Sequence, residues 1–330
     1  MQDPTDTAAA PEQLAQARAV LDELGLVENP AVRVRPVSGH NTSLLLPCVG
    51  PTGVEFVLKF FVTPADARFY PADVRVSDYA RRECAFYRYL DGVDPERFDV
   101  PAPRTILLDS LDPPRWLLLE WIRGAPGPSE ESLGLDQVFG LMHALRALRT
   151  EHMIGRRDFP LNHWDVVSYL DRVRLMYDPV LQVIGQRRWR RALDFFDEAI
   201  RWTEARPPVL VHGDFTEQNI LVDADGNPFL IDFERVGVGS EDHDFAWLWI
   251  HATRGQDWKR ALLERWFSTR FGSDRIKSEW GIRAALIYLA LRRLRFGRLA
   301  LGTEDPNAAR NMAMLDAALN GGPELFPLRP

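Results

Sequence analysis

The stretch HGDFTEQNILV, residues 212–222, decides the fold that this sequence predicts. The apolar strand VLV precedes it, so the loop presents Asp214 directly after a strand, and Asn219 follows five positions later where the next strand starts. A second strand ends in FLID and places Asp232 at its tip, while the Asp-Gly-Asn turn at 225–227 joins the two strands as a hairpin. The pattern therefore brings two carboxylates and an amide to one turn region.

These three side chains match the needs of phosphoryl transfer. That reaction requires a carboxylate that orients the attacking hydroxyl and accepts its proton, together with hard oxygen ligands for a Mg²⁺ that bridges the nucleotide phosphates. Taken singly, Asp214, Asn219 and Asp232 are ordinary turn or strand-end residues. Together, their order and spacing favour a phosphoryl-transfer site over ordinary turn and strand-end residues.

The motif H-G-D-x4-N, followed by an apolar strand and I-D-F-E, resembles the signature of the aminoglycoside phosphotransferase and choline kinase family, small-molecule relatives of protein kinases. The resemblance implies an α+β, two-lobed protein-kinase-like fold that uses ATP, with GTP not excluded. It also implies that Asp214 is the catalytic base, that Asn219 and Asp232 hold Mg²⁺, and that Asp244 in SEDHDFAWL braces the catalytic loop. His212 is expected to order that loop rather than to act as an acid or base.

A single lysine stands out in VEFVLKFFV, residues 54–62, because it is the only lysine in the first 258 residues. The run alternates as a strand does, so Lys59 shares a face with Val57 and Phe61. The resemblance expects a lysine on the third strand of the small lobe, bound to phosphates and paired with a glutamate of the next helix, here Glu83. The alternative is an edge-strand lysine that points to water.

Two further segments are candidates for nucleotide binding. SGHNTS lies between the first two predicted strands, where the resemblance expects a loop that covers the phosphates, although an ordinary hairpin turn explains it as well. Its candidate residues are Ser38, Gly39, His40, Asn41 and Thr42. LLLEWIRG lies where the hinge is expected, and there the backbone of Glu120, Trp121 and Ile122 would contact adenine. The side chains of this segment fit a core and surface role equally well.

The sequence divides at the Gly/Pro-rich stretch 122–134. Residues 1–121 predict a small lobe with an antiparallel sheet, preceded by a helix that ends at Gly25. Residues 122–330 predict a larger, mainly helical lobe that contains the catalytic hairpin and the acceptor site. Helical spacing is clearest in segments 78–93, 135–148, 164–177, 189–205, 258–272 and 282–301.

Composition narrows the classes of function. The net charge of −7 argues against a general nucleic-acid binder. No window approaches the roughly 18 apolar residues of a membrane helix, and the acidic start is unlike a secretory signal, so we expect a cytoplasmic protein without a membrane partner. Cys48 and Cys84 are expected to be small buried residues without chemistry.

The expected partners are a nucleotide and a small molecule with a hydroxyl group. Residues 245–330 carry fourteen basic and eight acidic residues, and Arg292, Arg295 and Arg298 share one face of a predicted helix. This excess favours a neutral or anionic acceptor over a polycationic aminoglycoside, unless the arginines form a solvated face. Glu234 stands where a protein kinase has glycine and no A-P-E element follows, which argues against a protein kinase. A catalytically silent, nucleotide-binding regulatory protein is the alternative function.

Overall fold

The computed structural model describes residues 11–32, 42–62, 76–92, 100–126, 133–155, 159–204, 206–301 and 305–321. In chain order the helices are α1 (Pro11–Glu23), α2 (Val76–Asp91), α3 (Leu135–Ala147), α4 (Val166–Leu175), α5 (Tyr177–Thr203), α6 (Asp242–His251), α7 (Gln256–Ser268), α8 (Gly272–Leu301) and α9 (Ala308–Asn320). The strands are β1 (Val27–Glu28), β2 (Ser43–Val49), β3 (Glu55–Phe61), β4 (Thr105–Leu108), β5 (Trp116–Glu120), β6 (Gly124–Pro126), β7 (Asn162–Trp164), β8 (Val209–Val211), β9 (Ile220–Asp223), β10 (Pro228–Leu230) and β11 (Gly237–Gly239).

The small lobe is built on a five-stranded antiparallel sheet with the strand order β1-β2-β3-β5-β4. One face of this sheet packs against α1, which ends at Glu23. Gly25, where the sequence predicts the helix end, lies in the turn that follows and is left-handed (φ 66°). Leu58 and Phe60 of β3 belong to the small core on this face, together with Cys48. Cys84 lies in the other core, and both cysteines are buried and free, as expected.

The opposite face of the sheet turns toward α2 and the large lobe. Val57 and Phe61 of β3 pack there against the main hydrophobic core, which continues through α3 to α9. Lys59 lies between them in the strand, so the alternation predicted for residues 54–62 is present. The face that holds the lysine is therefore the face that meets the second lobe.

The large lobe consists of helices α3 to α9 and two three-stranded sheets with the orders β10-β9-β6 and β7-β11-β8. The long helix α8 is the centre of this lobe and packs against α4, α5, α6 and α9. Asp165 caps α4, since its side chain accepts a hydrogen bond from the amide of Ser168 at 2.8 Å. The predicted hairpin is present: β9 and β10 pair across the turn that contains Gly226 (φ 85°).

These features confirm the predicted α+β class, with a small antiparallel sheet and a helical C-terminal part. Sheet membership changes between β5 and β6, close to the boundary proposed at residue 122. Helices α6 and α9 and strands β1, β6, β7 and β11 were not predicted. The strands have only two or three residues each, and α6 is buried along nearly its whole length, which removes an amphipathic pattern. Residues 33–37 of the first predicted strand lie outside the described ranges. None of the described helices has the length and apolar composition that a membrane crossing requires.

Candidate active site

Lys59 connects the two lobes. Its ammonium lies 2.6 Å from Glu83 Oε2 of α2 and 2.6 Å from Asp232 Oδ1 of the hairpin. The lysine is 4% exposed, so the alternative of a lysine that points to water is wrong. Burial alone would lower the pKa of Lys59, but the carboxylates of Asp232, Glu83 and Glu234 raise it well above its ordinary value.

Glu83 is fully buried beside this ammonium. Complete burial raises the pKa of Glu83 above that of an exposed glutamate, and the positive charge of Lys59 opposes the shift. Its Oε1 has no hydrogen-bond partner among the described residues. The ion pair with Lys59 is therefore the main interaction that stabilises a negative charge at this position.

Asp244 of α6 holds the loop that carries Asp214 by hydrogen bonds to the loop backbone. Asp244 Oδ2 accepts a hydrogen bond from the amide of His212 at 2.7 Å, and Oδ1 accepts one from the amide of Gly213 at 2.9 Å. Burial raises the pKa of Asp244 to about 7, while these two amide bonds oppose the shift. Both oxygens are thus used to hold the backbone next to Asp214, which is the bracing contact that the resemblance implies for Asp244.

His212 orders the same loop from inside the core. Its Nε2 lies 2.9 Å from the carbonyl of Ile231, and the amide of Asp214 donates to its Nδ1 at 3.3 Å. These contacts select the neutral tautomer with the proton on Nε2. Burial lowers the pKa of His212, so the ring stays neutral and links the two halves of the hairpin.

Gly213 permits a close approach that no other residue allows. Its φ is 79°, and a Cβ at this position would lie 2.2 Å from the carbonyl oxygen of Arg235. The loop before Asp214 therefore packs directly against the backbone that follows Asp232. As a result, Asp214 Oδ2 and Arg235 Nε are 4.0 Å apart.

Asn219 and Asp232 face the same region from neighbouring backbone segments. Asn219 Nδ2 donates to the carbonyl of Asp214 at 2.9 Å, and the Asn219 carbonyl accepts from the amide of Ile231 at 3.0 Å. Asp232 is left-handed (φ 68°) and is the one non-glycine residue with positive φ among the described residues. Burial opposes ionisation, but Lys59 lowers the pKa of Asp232. The carboxylate is one-third exposed, so it remains accessible to solvent.

The residues present fit a magnesium site of the kind that is completed by phosphates. Asn219 uses its amide nitrogen within the loop, and Asp232 uses one oxygen for Lys59, so each retains an oxygen for a hard cation. Within the described ranges no group of three or more His, Cys, Asp or Glu side chains is arranged to hold a metal ion. Mg²⁺ commonly takes one or two protein oxygens plus phosphates and water, so two donors are sufficient here.

Glu234 is a site residue whose contacts the sequence did not predict. The hydroxyl of Thr42 donates a short hydrogen bond to Glu234 Oε2, and Arg82 Nη1 donates to the Glu234 carbonyl at 2.6 Å. Burial, with the nearby charge of Asp232, raises the pKa of Glu234. Thr42 ends the predicted phosphate loop and Arg82 precedes Glu83, so Glu234 ties two small-lobe elements to the hairpin.

The other predicted nucleotide contacts are partly described. Residues Ser38, Gly39, His40 and Asn41 lie outside the described ranges, and Thr42 is the described end of their loop. The Glu120 amide donates to the Arg104 carbonyl at 3.0 Å, and its carboxylate accepts from the Arg104 amide and guanidinium. Trp121 and Ile122 follow β5 and are half-buried. The amide of Glu120 is therefore already used by a contact within the small lobe.

Arg235 and Arg292 are a second pair that the sequence did not single out together. Their Cζ atoms lie 5.7 Å and 5.2 Å from the ring centroid of Trp247. Arg298, which was predicted to share a helix face with Arg292 and Arg295, contacts Gln182 of α5 at 3.4 Å. In the sequence, Arg235 directly follows the I-D-F-E motif. Its proximity to Arg292 depends on where α8 lies in the fold and could not be read from the motif.

The comparisons with known proteins agree with this geometry. The sequence model of the phosphotransferase enzyme family (APH) matches residues 49–278, which include Lys59, Glu83 and the whole hairpin. No curated protein matches the chain at a significant level.

Several solved structures share the fold at low sequence identity. Choline kinase LicA from Streptococcus pneumoniae has a TM-score of 0.60 and 10% identity, covering 95% of this chain and 100% of the choline kinase. Macrolide 2'-phosphotransferase MphH from Brachybacterium faecium has a TM-score of 0.57 and 15% identity, with 94% and 99% covered. A thermostable mutant of aminoglycoside phosphotransferase APH(4)-Ia, in a ternary complex with AMP-PNP and hygromycin B, has a TM-score of 0.56 and 17% identity, with 93% and 98% covered. These likenesses confirm the predicted protein-kinase-like fold and the resemblance to the aminoglycoside phosphotransferase and choline kinase group.

Proposed function

We infer the function of this protein from one premise: the chain belongs to the phosphotransferase enzyme family. We propose that it transfers the γ-phosphoryl group of ATP, with Mg²⁺, to a hydroxyl group of a small molecule. GTP remains an allowed nucleotide. A neutral or anionic acceptor is preferred over a polycationic aminoglycoside.

One observation carries this proposal. The ammonium of Lys59 in the small lobe lies 2.6 Å from Asp232 of the large lobe, and Asp232 belongs to the same hairpin as Asp214 and Asn219. A cation for the phosphates, two oxygen donors for a metal and a carboxylate for the hydroxyl are thus gathered at one place between the lobes. Phosphoryl transfer depends on positioning and on stabilising charge, and this arrangement supplies both.

Each residue has a defined part in the proposed reaction. Asp214 orients the acceptor hydroxyl and takes its proton while the hydroxyl oxygen bonds to the γ-phosphorus. The bond from that phosphorus to the β–γ bridging oxygen breaks, and ADP leaves with the bond's electron pair. Lys59, held by Glu83, neutralises charge on the α- and β-phosphates. Asp244 and His212 keep the backbone of the Asp214 loop in place.

Asn219 and Asp232 would hold the magnesium ion. A bound Mg²⁺ would supply positive charge against the negative charge that develops on the phosphates. The loop Ser38, Gly39, His40, Asn41 and Thr42 would cover the phosphates, and the segment Glu120, Trp121 and Ile122 would lie against adenine. The AMP-PNP complex of APH(4)-Ia supports the choice of an adenine nucleotide.

The proposal is tested by a panel of acceptors. ADP release would be followed with Mg-ATP and a set of sugars, hydroxy acids, amino alcohols, macrolides and aminoglycosides, with Asp214→Asn as the blank. We expect at least one hydroxylated compound to raise ADP release well above that blank, and kanamycin-like compounds to be poor substrates. Efficient turnover of an aminoglycoside at micromolar KM would reverse the acceptor preference while leaving the enzymatic proposal intact.

The alternative is a catalytically silent protein that binds a nucleotide and regulates a partner. Lys59, Asp214, Asn219 and Asp232 are all retained, whereas a silent relative is expected to have lost at least one of them. A nucleotide-dependent rise in thermal stability without turnover of any acceptor would favour this alternative.

A further inference from the structure

Arg235 lies beside the proposed catalytic base with an unfilled donor. Its Nε is 4.0 Å from Asp214 Oδ2 and 3.8 Å from Glu234 Oε1, and both distances are too long for a hydrogen bond. This Nε is buried and has no hydrogen-bond partner among the described residues. A buried guanidinium N–H without an acceptor is costly, so a position of this kind indicates a group that receives a ligand.

Arg292 of α8 brings a second positive charge to the same place. Both guanidinium groups lie against the ring of Trp247, at 5.7 Å for Arg235 and 5.2 Å for Arg292. Burial lowers the pKa of Arg292, the charge of Arg235 lowers it further, and Asp214 opposes the shift. Arg292 is thus the less compensated of the two cations, because Arg235 has the carboxylates of Asp214 and Glu234 within 4.0 Å.

A third arginine extends this positive region along a stack of aromatic rings. Arg172 lies 4.1 Å from the centroid of Trp164, which stacks on His243 at 4.4 Å, and Arg172 Nη1 is buried without a hydrogen-bond partner among the described residues. Burial and the three arginine charges lower the pKa of His243 to about 3, although its contact with Gly213 opposes the shift. His243 is therefore neutral and adds no charge of its own to the electrostatic potential of the neighbouring arginines.

The positive charge continues on the other side of Arg292. Burial, with the charges of Arg310 and Arg292, lowers the pKa of Arg293 to about 10, and none of the groups that shift it is a carboxylate. Lys259 Nζ lies 5.2 Å from the ring centroid of Trp249. The excess of basic residues after residue 244 is therefore concentrated partly in this lobe's interior rather than only on a solvated helix face.

We propose that the acceptor carries an anionic group, a carboxylate or a phosphate, which binds Arg235 and Arg292 while its hydroxyl lies against Asp214. This inference rests on the proposed function, because it names the substrate class of the same site. One anion would reduce the repulsion between the two cations and give Arg235 Nε an acceptor. The planar guanidinium fork matches both carboxylate and phosphate oxygens. A polycation would instead be repelled by the guanidinium groups of Arg235 and Arg292.

The test compares pairs of acceptors in which one member carries an anionic group and the other is neutral. Three pairs would be used: D-glycerate with D-glyceramide, D-gluconate with D-gluconamide, and glucose 6-phosphate with glucose. Binding would be measured calorimetrically with Mg-AMP-PNP present, and turnover would be measured as ADP release from Mg-ATP. The pairs with a carboxylate and the pair with a phosphate distinguish the two anions.

The variants would be Arg292→Gln and, as a matched control, Arg298→Gln, which makes the same change further along α8. We expect at least one anionic compound to bind about tenfold or more tightly than its neutral partner. Arg292→Gln should remove this preference, with the KM for ATP and the affinity for the neutral partner within about twofold of wild type. Arg298→Gln should retain the preference.

The proposal is overturned if the neutral partners bind equally well across the panel or if Arg292→Gln keeps the preference. It is also overturned if Arg292→Gln raises the KM for ATP instead, because the arginine would then serve the nucleotide phosphates. These outcomes are separate from failure of the proposed function, which would appear as equal ADP release by the wild type and by Asp214→Asn with every acceptor.

Discussion

Lys59 and Asp232 are 173 positions apart in sequence, and their charged atoms are 2.6 Å apart in the structure. The lysine comes from the central part of the small-lobe sheet, and the aspartate comes from the hairpin of the large lobe. This contact places the cation of the small lobe beside one of the two proposed magnesium ligands of the large lobe. It also makes each residue of the pair a sensitive position for substitution.

Replacing Lys59 with methionine is expected to reduce kcat/KM for ATP by about 100-fold or more, because a positioned cation for the phosphates is lost. ADP release in the presence of a working acceptor measures the effect. Lys277→Met is the matched control, since Lys277 lies in the first turns of α8, outside the candidate site, and should retain wild-type kinetics. Similar losses in both variants would remove Lys59 from nucleotide binding.

The same substitution is expected to lower the free energy of unfolding by about 3–5 kcal/mol, because the fully buried carboxyl of Glu83 would lose the cation that compensates its charge. Adding Glu83→Gln to Lys59→Met should recover much of this loss. Urea denaturation of the wild type, the two single variants and the double variant measures the coupling. Losses that simply add would show that the ion pair does not determine the stability of this region.

Asp214→Asn is expected to reduce kcat by at least about 100-fold while nucleotide affinity stays near that of the wild type, because the side chain serves the acceptor hydroxyl. Calorimetric titration with Mg-AMP-PNP and steady-state ADP release separate the two quantities. Asp225→Asn, on the exposed tip of the same hairpin, is the control and should behave as wild type. Unchanged kcat in Asp214→Asn would exclude it as the catalytic base.

Gly213→Ala and Gly226→Ala separate backbone strain from a steric clash. Both glycines have a φ near 80°, but an added Cβ meets the Arg235 carbonyl at 2.2 Å in the first case and nothing within 4 Å in the second. Gly226→Ala should cost about 1–2 kcal/mol of stability and retain activity. Gly213→Ala should cost more and lose activity, because the Asp214 loop must move. Equal melting temperatures for the two variants would contradict this account.

His251 is expected to make the protein less stable in mild acid. Burial and the charges of Arg293, Arg292 and Arg235 lower its pKa to about 3, whereas the unfolded chain protonates near 6.5. The unfolded state therefore binds more protons between these values, so this contribution to stability is complete above pH 6.5 and falls at about 1 kcal/mol per pH unit below it. In urea titrations, the free energy of unfolding of His251→Gln should fall less steeply between pH 6.5 and 5.5 than that of the wild type. Equal slopes for the two proteins would show that His251 does not cause the acid sensitivity.

Much of the candidate site could be predicted from local patterns in the sequence. The alternation in residues 54–62 placed Lys59 on the face with Val57 and Phe61, and the structure has this face against the large lobe. The hairpin turn, the order of Asp214, Asn219 and Asp232, and the family resemblance were equally readable. These features are local, so each is encoded within a short run of residues.

Contacts that depend on the placement of α2, α6 and α8 could not be read in this way. Glu234 was noted only as a departure from glycine, yet it bonds to Thr42 from the small lobe. Arg235 and Arg292 occur in a hairpin and in a helix that no short-range pattern connects. Their common position at Trp247 follows from the packing of α6 against α8.

The sequence by itself determined the chemistry available to this protein: a lone strand lysine, two aspartates and an asparagine in a fixed order, and an excess of basic residues in the last quarter of the chain. The tertiary structure alone decided which of those charges meet. Strand and turn preferences act over a few residues, whereas the distance between two buried charges is set by how whole helices and sheets pack. For that reason the proposed catalytic base could be named from a motif, and the arginines proposed to select its acceptor could not.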